Sequence, residues 1–220
     1  YIRLGANFYT IHNLFDTLYG RRDDFKEKIT SLVYTLAKRY VERSEDLKEI
    51  DMQREKNYNW FLSNRLVGMA LYAKGLNKTL KGLNDKISYF EDLGVNLIHI
   101  LPILKCPPEN RDGGYAVSDF FQIEPSLGTM KDLEKLVQDL KSRDILLILD
   151  VVVNHTSNEH EWACRAKKGE RQYEDYYFCF KDRNIPDRFE EGMPEVFPGS
   201  SPGNFTWDPE MEKWVMTVFH

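Results

Sequence analysis

"ILLILDVVVNHTSNEHEW", residues 145–162, is a continuous apolar run that holds Asp150 in its middle and stops at Asn154 and His155. An apolar run of this length predicts a strand that is buried on both faces of a parallel sheet. A buried carboxylate is costly unless it is paired or hydrogen-bonded. We therefore expect Asp150 to have a partner, with an arginine outside this segment as the candidate.

Two further apolar runs and the segments between them extend this strand into a regular pattern. The predicted elements are a strand over 66–73, a helix over 79–93, a strand over 95–104, a helix that starts at Thr129 with Asp132 near its third position, and a strand over 144–154. Apolar strands that alternate with helices predict a parallel sheet, either open and doubly wound or closed into a (β/α)₈ barrel. No G-x-G-x-x-G or Walker A loop follows a strand, and the loop after the second strand is long and polar-aromatic, which favours the barrel.

The pattern divides the chain into three parts. Residues 1–63 are charged and have helical periodicity, which predicts an N-terminal helical domain. Residues 64–155 hold the three predicted strands and form the start of the barrel. Residues 156–220 break the alternation with a short helix over 158–167, capped by Ser157, and a late strand "KWVMTVF". This last part is expected to be an insertion after the third strand.

The net charge and the cysteine content restrict the possible binding partners and the cellular compartment. The formal net charge is −5 and no basic block occurs, which argues against binding to nucleic acid or to an anionic membrane. No apolar stretch reaches the roughly 18–20 residues of a membrane helix. The 3 cysteines form neither a disulfide framework nor a metal-ligand spacing, which favours the cytoplasm. The chain begins at Tyr1 rather than at Met, so secretion stays open.

The motif "DGGYAVSDF", residues 112–120, is the first candidate for chemistry. Gly113 and Gly114 permit a tight turn with positive φ, which would bring Asp112 and Tyr115 close together. A carboxylate that accepts hydroxyl protons beside an aromatic ring that covers C–H groups can hold a sugar. The alternative is that the motif is only a turn and that Tyr115 packs locally.

Asn154 and His155 stand at the carboxyl end of the third strand, where barrel proteins build their sites. His155 either contacts a ligand or is a structural histidine at a strand end. Glu159 and His160 follow closely, but the spacing of the histidines is not that of a standard metal-ligand pair, and Asn154 alone is a thin basis for calcium. The sequence also contains no H-E-x-x-H, G-x-S-x-G or C-x-x-C motif. We expect no metal and no cofactor.

Several of these motifs together resemble a known family. "DGGYAVSDF", "EPSLGTMKDL" and "ILDVVVNHTSNEHEW", in this order, strongly resemble glycoside hydrolase family 13, the α-amylase family, whose first signature region is similar to the strand ending in D-x-x-x-N-H. The amylosucrase branch is most similar, and "LKGLNDKISYFEDLGVNLIHILPILKCP", "DYYFCFKDRNIPD" and "EVFPGSSPGNFTW" extend the resemblance over residues 64–220. The resemblance implies an α/β fold: the first three βα units of a (β/α)₈ TIM barrel, preceded by a helical segment and followed by part of an inserted B domain.

The resemblance also implies roles for six residues. Those that would bind the glucosyl ring are Asp112, Tyr115, His155 and Phe219. Those that would hold the strand end and its loops are Asp150 and Asn154. Tyr115 would stack on the ring, Asp112 and His155 would hydrogen-bond its hydroxyls, and Phe219 would border the same subsite.

The implied activity is that of a retaining glucosyltransferase, which cleaves sucrose and transfers glucose to an α-glucan or oligosaccharide. Retention uses two carboxyl groups about 5 Å apart, one as nucleophile and one as acid and then base. In the family they follow the fourth and fifth barrel strands, so they are expected beyond residue 220, and the chain is expected to be an N-terminal fragment.

Other functions stay open at this point. Within the family they are a sucrose hydrolase, a trehalose synthase-like isomerase and an α-amylase-type glycosidase. Outside enzymes, the same scaffold could serve as a non-catalytic carbohydrate-binding or interaction protein. An unrelated open α/β protein is the last alternative, and the missing phosphate-binding loop argues against it.

The 220-residue chain by itself is expected to be inactive toward sucrose, because neither carboxylate of the retaining mechanism has a counterpart in it. Incubating the purified chain with sucrose and assaying fructose measures this directly. Fructose release above that of an enzyme-free sample would contradict the expectation.

Overall fold

A computed structural model describes residues 2–109, 111–199 and 202–217 of the protein. The chain forms two compact units, residues 1–63 and residues 64–220. The first unit is helical, and the second contains a parallel sheet with helices. Within the described residues, no helix combines the length and the apolar composition that crossing a membrane requires.

Over residues 2–63 the structure describes three helices and a short turn. They are α1 Ile2–Tyr19, α2 Phe25–Glu42, α3 Glu45–Lys56 and a 3₁₀ turn Trp60–Leu62. Helix α3 starts after Ser44, whose backbone is extended, and its first turn carries Glu45, a favourable place for a negative charge. Arg43 donates to both carboxylate oxygens of Asp51, at 2.7 and 3.0 Å, and thereby joins the end of α2 to α3.

The second unit is built around a parallel sheet. Its elements in chain order are β1 Gly68–Leu71, α4 Ala73–Asn77, α5 Leu80–Asn84, α6 Ile87–Asp92, β2 Leu97–Ile100, β3 Leu104–Lys105, β4 Asp119–Ile123, α7 Met130–Lys141, β5 Leu146–Leu149, α8 Glu161–Lys167, α9 Arg171–Glu174, β6 Cys179–Phe180, α10 Asn184–Glu190, β7 Phe205–Asp208 and β8 Lys213–Met216. Strands β1, β2 and β5 pair in parallel in that order, β3 pairs with β4, and β8 lies between β6 and β7 in an antiparallel sheet. The predicted α/β class with a parallel sheet is confirmed.

The core lies between the parallel sheet and its helices. Ile98 and Ile100 of β2 are almost completely buried, as are Leu136 and Leu140 of α7. Burying one such side chain contributes about 1.5–3 kcal/mol relative to leaving it in water. The apolar stripe of α7 therefore anchors this helix on the sheet.

The single helix predicted over 79–93 is instead two short helices, α5 and α6. Thr79 caps α5 by accepting the N–H of Gly82 at 3.0 Å, and the chain leaves helical geometry at Lys86 before α6 begins. Leu83 and Ile87 are both buried. The helix is interrupted at this point, but the apolar periodicity continues across the break because both short helices face the same core.

All three predicted strands are shorter in the structure, and the third, predicted over 144–154, ends at Leu149. Strand β5 pairs with β2, which itself ends at Ile100. Pro102 follows two residues later, and its nitrogen has no hydrogen to donate to a ladder. Without a paired neighbour the chain beyond β5 leaves the sheet, and Val153 is 87% exposed.

The loop after β2 contains a hairpin that the sequence pattern did not predict. Strands β3 and β4 pair antiparallel, with Leu104 opposite Ile123 and a bulge before Lys105, which lies opposite Asp119. A two-residue strand is too short to show a period of two, so its sequence looked like loop. The connection between the two strands carries residues 112–118 of the 112–120 motif, and Asp119 and Phe120 begin β4.

The region after residue 156 mixes short helices with the antiparallel sheet. Helix α8 begins at Glu161 and is capped by His160, whose Nδ1 accepts the N–H of Trp162 at 3.1 Å. The predicted cap Ser157 is wrong, because its hydroxyl accepts the N–H of Glu159 in the turn before the helix. Strand β8 lies inside the predicted "KWVMTVF" strand. The division of the second unit at residue 155 stays a prediction.

The capping box predicted at the start of α7 is present. Thr129 Oγ1 accepts the N–H of Asp132 at 3.3 Å, and the Asp132 carboxylate accepts the N–H of Thr129 at 2.8 Å. Thr129→Ala is expected to lower the free energy of unfolding by about 1 kcal/mol, measured by urea denaturation. Thr129→Ser should retain stability, because serine keeps the cap. Ser142→Ala, at the other end of α7, is the comparison: it removes only an exposed hydrogen bond from the Ser142 hydroxyl to Asp139 O at 2.7 Å and should cost less than Thr129→Ala.

Candidate functional site

Asp150 follows β5 directly and joins two neighbouring elements. His99 Nε2 lies 2.8 Å from Asp150 Oδ1, and the phenol of Tyr115 donates to Oδ2 at 2.9 Å. The expectation that Asp150 has a partner is confirmed, but in the part of the chain that the structure describes the partners are an imidazole and a phenol rather than the suggested arginine. His99 lies on β2 opposite Ile148, and Asp150 stands two residues beyond Ile148, so the sheet register brings the pair together.

The turn that precedes Tyr115 has an uncommon backbone. Asp112, Gly113 and Gly114 have φ values of 44°, 66° and 101°. A β-carbon added to Gly114 would lie 3.3 Å from both Cβ and O of Pro102, so Pro102 would have to shift, and the φ of 101° would strain any side chain at this position. A left-handed non-glycine residue such as Asp112 costs free energy and is often found at functional sites. The N–H of Tyr115 donates to Asp112 O at 3.1 Å, which closes the turn.

Contacts with Asn154 and Tyr115 hold His155. Its Nδ1 lies 3.1 Å from Asn154 Nδ2, and its Nε2 lies 3.2 Å from the carbonyl oxygen of Tyr115. A neutral imidazole with its proton on Nε2 satisfies both contacts, since the amide donates to Nδ1 and Nε2 donates to the carbonyl. The imidazole thus ties the end of the β5 segment to the turn that carries Asp112.

An open cavity of about 570 Å³ lies beside these residues. Of the predicted site residues, Asp112, Asn154 and His155 line it, and Tyr115 and Asp150 join them through the hydrogen bonds above. The aromatic residues in its wall are Tyr176, Tyr177, Phe178 and Trp207. A cavity of this size with a mostly apolar wall and a few convergent polar groups is typical of a small-molecule site.

His160, weighed in the sequence as a metal ligand, lies in a buried aromatic cluster. Its ring centre is 5.3 Å from that of Phe120 and 4.6 Å from that of Trp162. Burial lowers the pKa of His160, which favours the neutral ring that caps α8. Among the described residues, no group of three or more His, Cys, Asp or Glu side chains has an arrangement that could hold a metal ion.

The phenol of Tyr115 is kept in its neutral form. Burial, followed by the hydrogen bond to the Asp150 carboxylate, raises the pKa of Tyr115 above its ordinary value. The hydroxyl therefore stays a donor at neutral pH, and the ring is fixed by a charge-assisted hydrogen bond.

The structure adds His99 and Tyr72 to the residues expected here. His99 is a polar residue inside the apolar run "VNLIHILPIL", the same signal that drew attention to Asp150. Tyr72 follows β1, and a β-carbon on Gly113 would lie 3.6 Å from its hydroxyl oxygen. Phe219 lies outside the described residues, so its predicted place beside the glucosyl site stays a prediction.

The family follows from the sequence together with this geometry. The alpha-amylase catalytic domain matches residues 36–220. This chain belongs to the α-amylase family, glycoside hydrolase family 13. Its parallel strands and helices are accordingly part of the TIM-barrel catalytic domain of a family of glycoside-hydrolysing and glycosyl-transferring enzymes. The amylosucrase branch within this family stays a prediction.

Known proteins of the family cover much of the chain. Maltase 1 from Drosophila virilis is 31% identical over 224 residues, 94% of this chain and 33% of the relative. Isomaltulose synthase from Erwinia rhapontici NX5, a mutant in complex with its natural substrate sucrose, superposes with a TM-score of 0.60 and 27% identity over 71% of this chain and 28% of that one.

A mutant of MutB, a trehalulose synthase, in complex with glucose superposes with a TM-score of 0.60, 30% identity and the same coverage of 71% and 28%. The chain thus spans about a third or less of the length of these family members.

Tyr115→Phe is expected to destabilise the second unit more than Tyr177→Phe does. The first variant removes a donor from the Asp150 carboxylate, which is worth about 1.5–3 kcal/mol, whereas the second removes a neutral contact with the Thr156 hydroxyl at 2.8 Å, worth about 0.5–1.5 kcal/mol. Urea denaturation of the two variants measures the difference. Equal losses would show that the Tyr115–Asp150 contact is not charge-assisted.

Proposed function

We propose that this chain forms the glucosyl-binding part of a retaining sucrose glucosyltransferase of the amylosucrase type. The observation that carries the proposal is the convergence of Asp112 and His155 on one open cavity, with Tyr115 fixed beside them by Asp150. The partners in this proposal are sucrose and an α-glucan or oligosaccharide. The cytoplasm, where unpaired cysteines are stable, is its expected location.

Each residue contributes a separate interaction to the bound glucosyl ring. The carboxylate of Asp112 accepts hydrogen bonds from sugar hydroxyls, and the ionised acceptor makes these bonds stronger than neutral ones. The ring of Tyr115 covers the C–H face of the sugar. His155 reaches a hydroxyl by exchanging its contact with Asn154 or its contact with Tyr115 for the ligand.

The chemistry that this site serves is a double displacement. A carboxylate attacks the anomeric carbon of the glucosyl unit, the glycosidic bond to fructose breaks, and a second carboxyl group protonates the departing oxygen. The second group, now ionised, then removes the proton of an acceptor hydroxyl, which attacks the anomeric carbon and releases the nucleophile. Both carboxyl groups are predicted to lie beyond residue 220, and the residues of this chain hold the ring that is transferred.

A second function, that of an α-glucosidase, is favoured by one specific observation. Maltase 1 from Drosophila virilis matches 94% of this chain. Isomerisation of sucrose is the related possibility suggested by isomaltulose synthase. All three reactions begin with the same glucosyl transfer to the enzyme. They differ in whether a glucan, water or the released fructose accepts the glucosyl group, so the products separate them.

The decisive experiment uses the protein expressed from its complete reading frame. Incubated with sucrose, it is expected to release fructose and to form an α-glucan, with little free glucose. Equal amounts of glucose and fructose would assign a hydrolase, and isomaltulose or trehalulose would assign an isomerase. Cleavage of maltose without action on sucrose would assign an α-glucosidase. Each of these three outcomes would overturn the amylosucrase proposal.

Asp112→Asn tests the assigned site within that experiment. Asparagine keeps the size of the side chain and tolerates the left-handed backbone, but it removes the charge that strengthens about 1.5–3 kcal/mol of hydrogen bonding. We expect kcat/KM for sucrose to fall about tenfold to a hundredfold.

Asp144→Asn is the matched control, since Asp144 is also left-handed, with φ 55°, but precedes β5 at the opposite end of the strand. Wild-type kinetics for both variants would remove Asp112 from the site.

A further inference from the structure

The turn of Asp112 depends on the main chain of Arg111. The carbonyl oxygen of Arg111 accepts the N–H of Gly114 at 2.8 Å and the N–H of Ala116 at 3.2 Å. A small displacement of this carbonyl would therefore move the whole turn. Three consecutive residues with positive φ adopt a sparsely populated conformation, which persists only when the surrounding structure holds it.

Glu124 supplies an anchor for Arg111. Arg111 Nη2 lies 2.5 Å from Glu124 Oε2, and the carboxylate is only 13% exposed. The same oxygen lies 3.4 Å from the N–H of Cys106, and Oε1 accepts the hydroxyl of Ser126 at 3.2 Å. The carboxylate thus connects the turn to the base of the β3–β4 hairpin.

The anchor is itself rigid. Glu124 follows β4, and its N–H donates at 2.9 Å to the carbonyl oxygen of Ile103, the residue before β3, which fixes the main chain of Glu124 beside the hairpin. Cys106, whose N–H contacts Glu124, also donates its thiol to Gly114 O at 3.2 Å. The turn is therefore held at two points, and both lead back to Glu124.

The charge state of Glu124 suits this task. Burial raises the pKa of Glu124, but the hydrogen bonds from Arg111 and from the N–H of Cys106 outweigh it, and the pKa lies below its ordinary value. The side chain is an anion at neutral pH and pairs with the guanidinium through a charge-assisted bond. Neither residue lines the cavity wall beside Asp112 in the described part of the chain.

We propose that Glu124 is a positioning residue of the glucosyl site: through Arg111 it holds the 112–114 turn and so sets the place of the Asp112 carboxylate. This inference rests on the proposed function, because it assumes that Asp112 binds the glucosyl ring. The competing interpretation is an ion pair that only stabilises the hairpin. The two differ in one respect: a positioning residue acts through Asp112, and a stabilising pair does not.

A double-mutant cycle in the protein expressed from its complete reading frame separates them. Glu124→Gln keeps the shape of the side chain and an acceptor for Cys106, but removes the charge. Because small displacements in a binding site are costly, kcat/KM for sucrose should fall about tenfold to a hundredfold. In the Asp112→Asn background the same change should cost less than about twofold, since the carboxylate that it positions is already gone.

Glu190→Gln is the matched control. Glu190 also pairs with an arginine, Arg183, and its side chain is 23% exposed, but it lies on α10 away from the turn. This variant should keep the wild-type kcat/KM. If Glu124→Gln lowers kcat/KM equally in both backgrounds, or leaves it unchanged, the positioning role is overturned while the proposed function stands.

Two further measurements cover the cases in which the Glu124→Gln variant does not fold or the wild-type protein does not cleave sucrose. If circular dichroism shows that Glu124→Gln does not fold, Arg111→Lys replaces it in the same cycle, because lysine keeps the charge but loses the planar guanidinium geometry. If the wild-type protein does not cleave sucrose, the proposed function fails, and the cycle is run with maltose, which presents the same glucosyl ring. Inactivity toward both sugars overturns both proposals.

Discussion

The carboxylate of Asp150, placed between an imidazole and a phenol, is the interaction on which the site depends. It links three segments that are distant in sequence: strand β2 through His99, the hairpin tip through Tyr115, and its own position after β5. A partly buried anion needs donors, and only the correct parallel register of β2 and β5 supplies the first of them. His155 then ties the same chain end to the carbonyl of Tyr115. The geometry of the site therefore depends on the correct pairing of β2 with β5.

The sequence predicted those features of the fold that depend on local pattern. Apolar runs gave the parallel strands, and Thr129 with Asp132 gave the start of α7. Boundaries set by other segments could not be predicted. The third strand stops early because its neighbour β2 stops, and the break between α5 and α6 is hidden because Leu83 and Ile87 keep the same face on both sides of it.

The site was predictable to a similar extent. Asp112, Tyr115 and His155 came from motifs, and the structure brings them together around one turn. Their supports were not visible, because each belongs to a different element. His99 on β2 contacts Asp150, which follows the neighbouring strand β5. Glu124 contacts Arg111 across a hairpin whose first strand has two residues. Contacts of this kind depend on tertiary structure, and no spacing along the chain encodes them.

One imino acid links the end of a strand to the shape of the turn. Pro102 cannot extend the β2 ladder, and its Cβ and carbonyl oxygen lie so close to Gly114 that a β-carbon there would be only 3.3 Å from each of them. A β-carbon and a carbonyl oxygen remain when Pro102 is replaced by any residue other than glycine, so such a replacement would not make room at 114. The φ of 101° at Gly114 also strains any side chain at that position. Position 114 is thus restricted to glycine by its own backbone as well as by its neighbour.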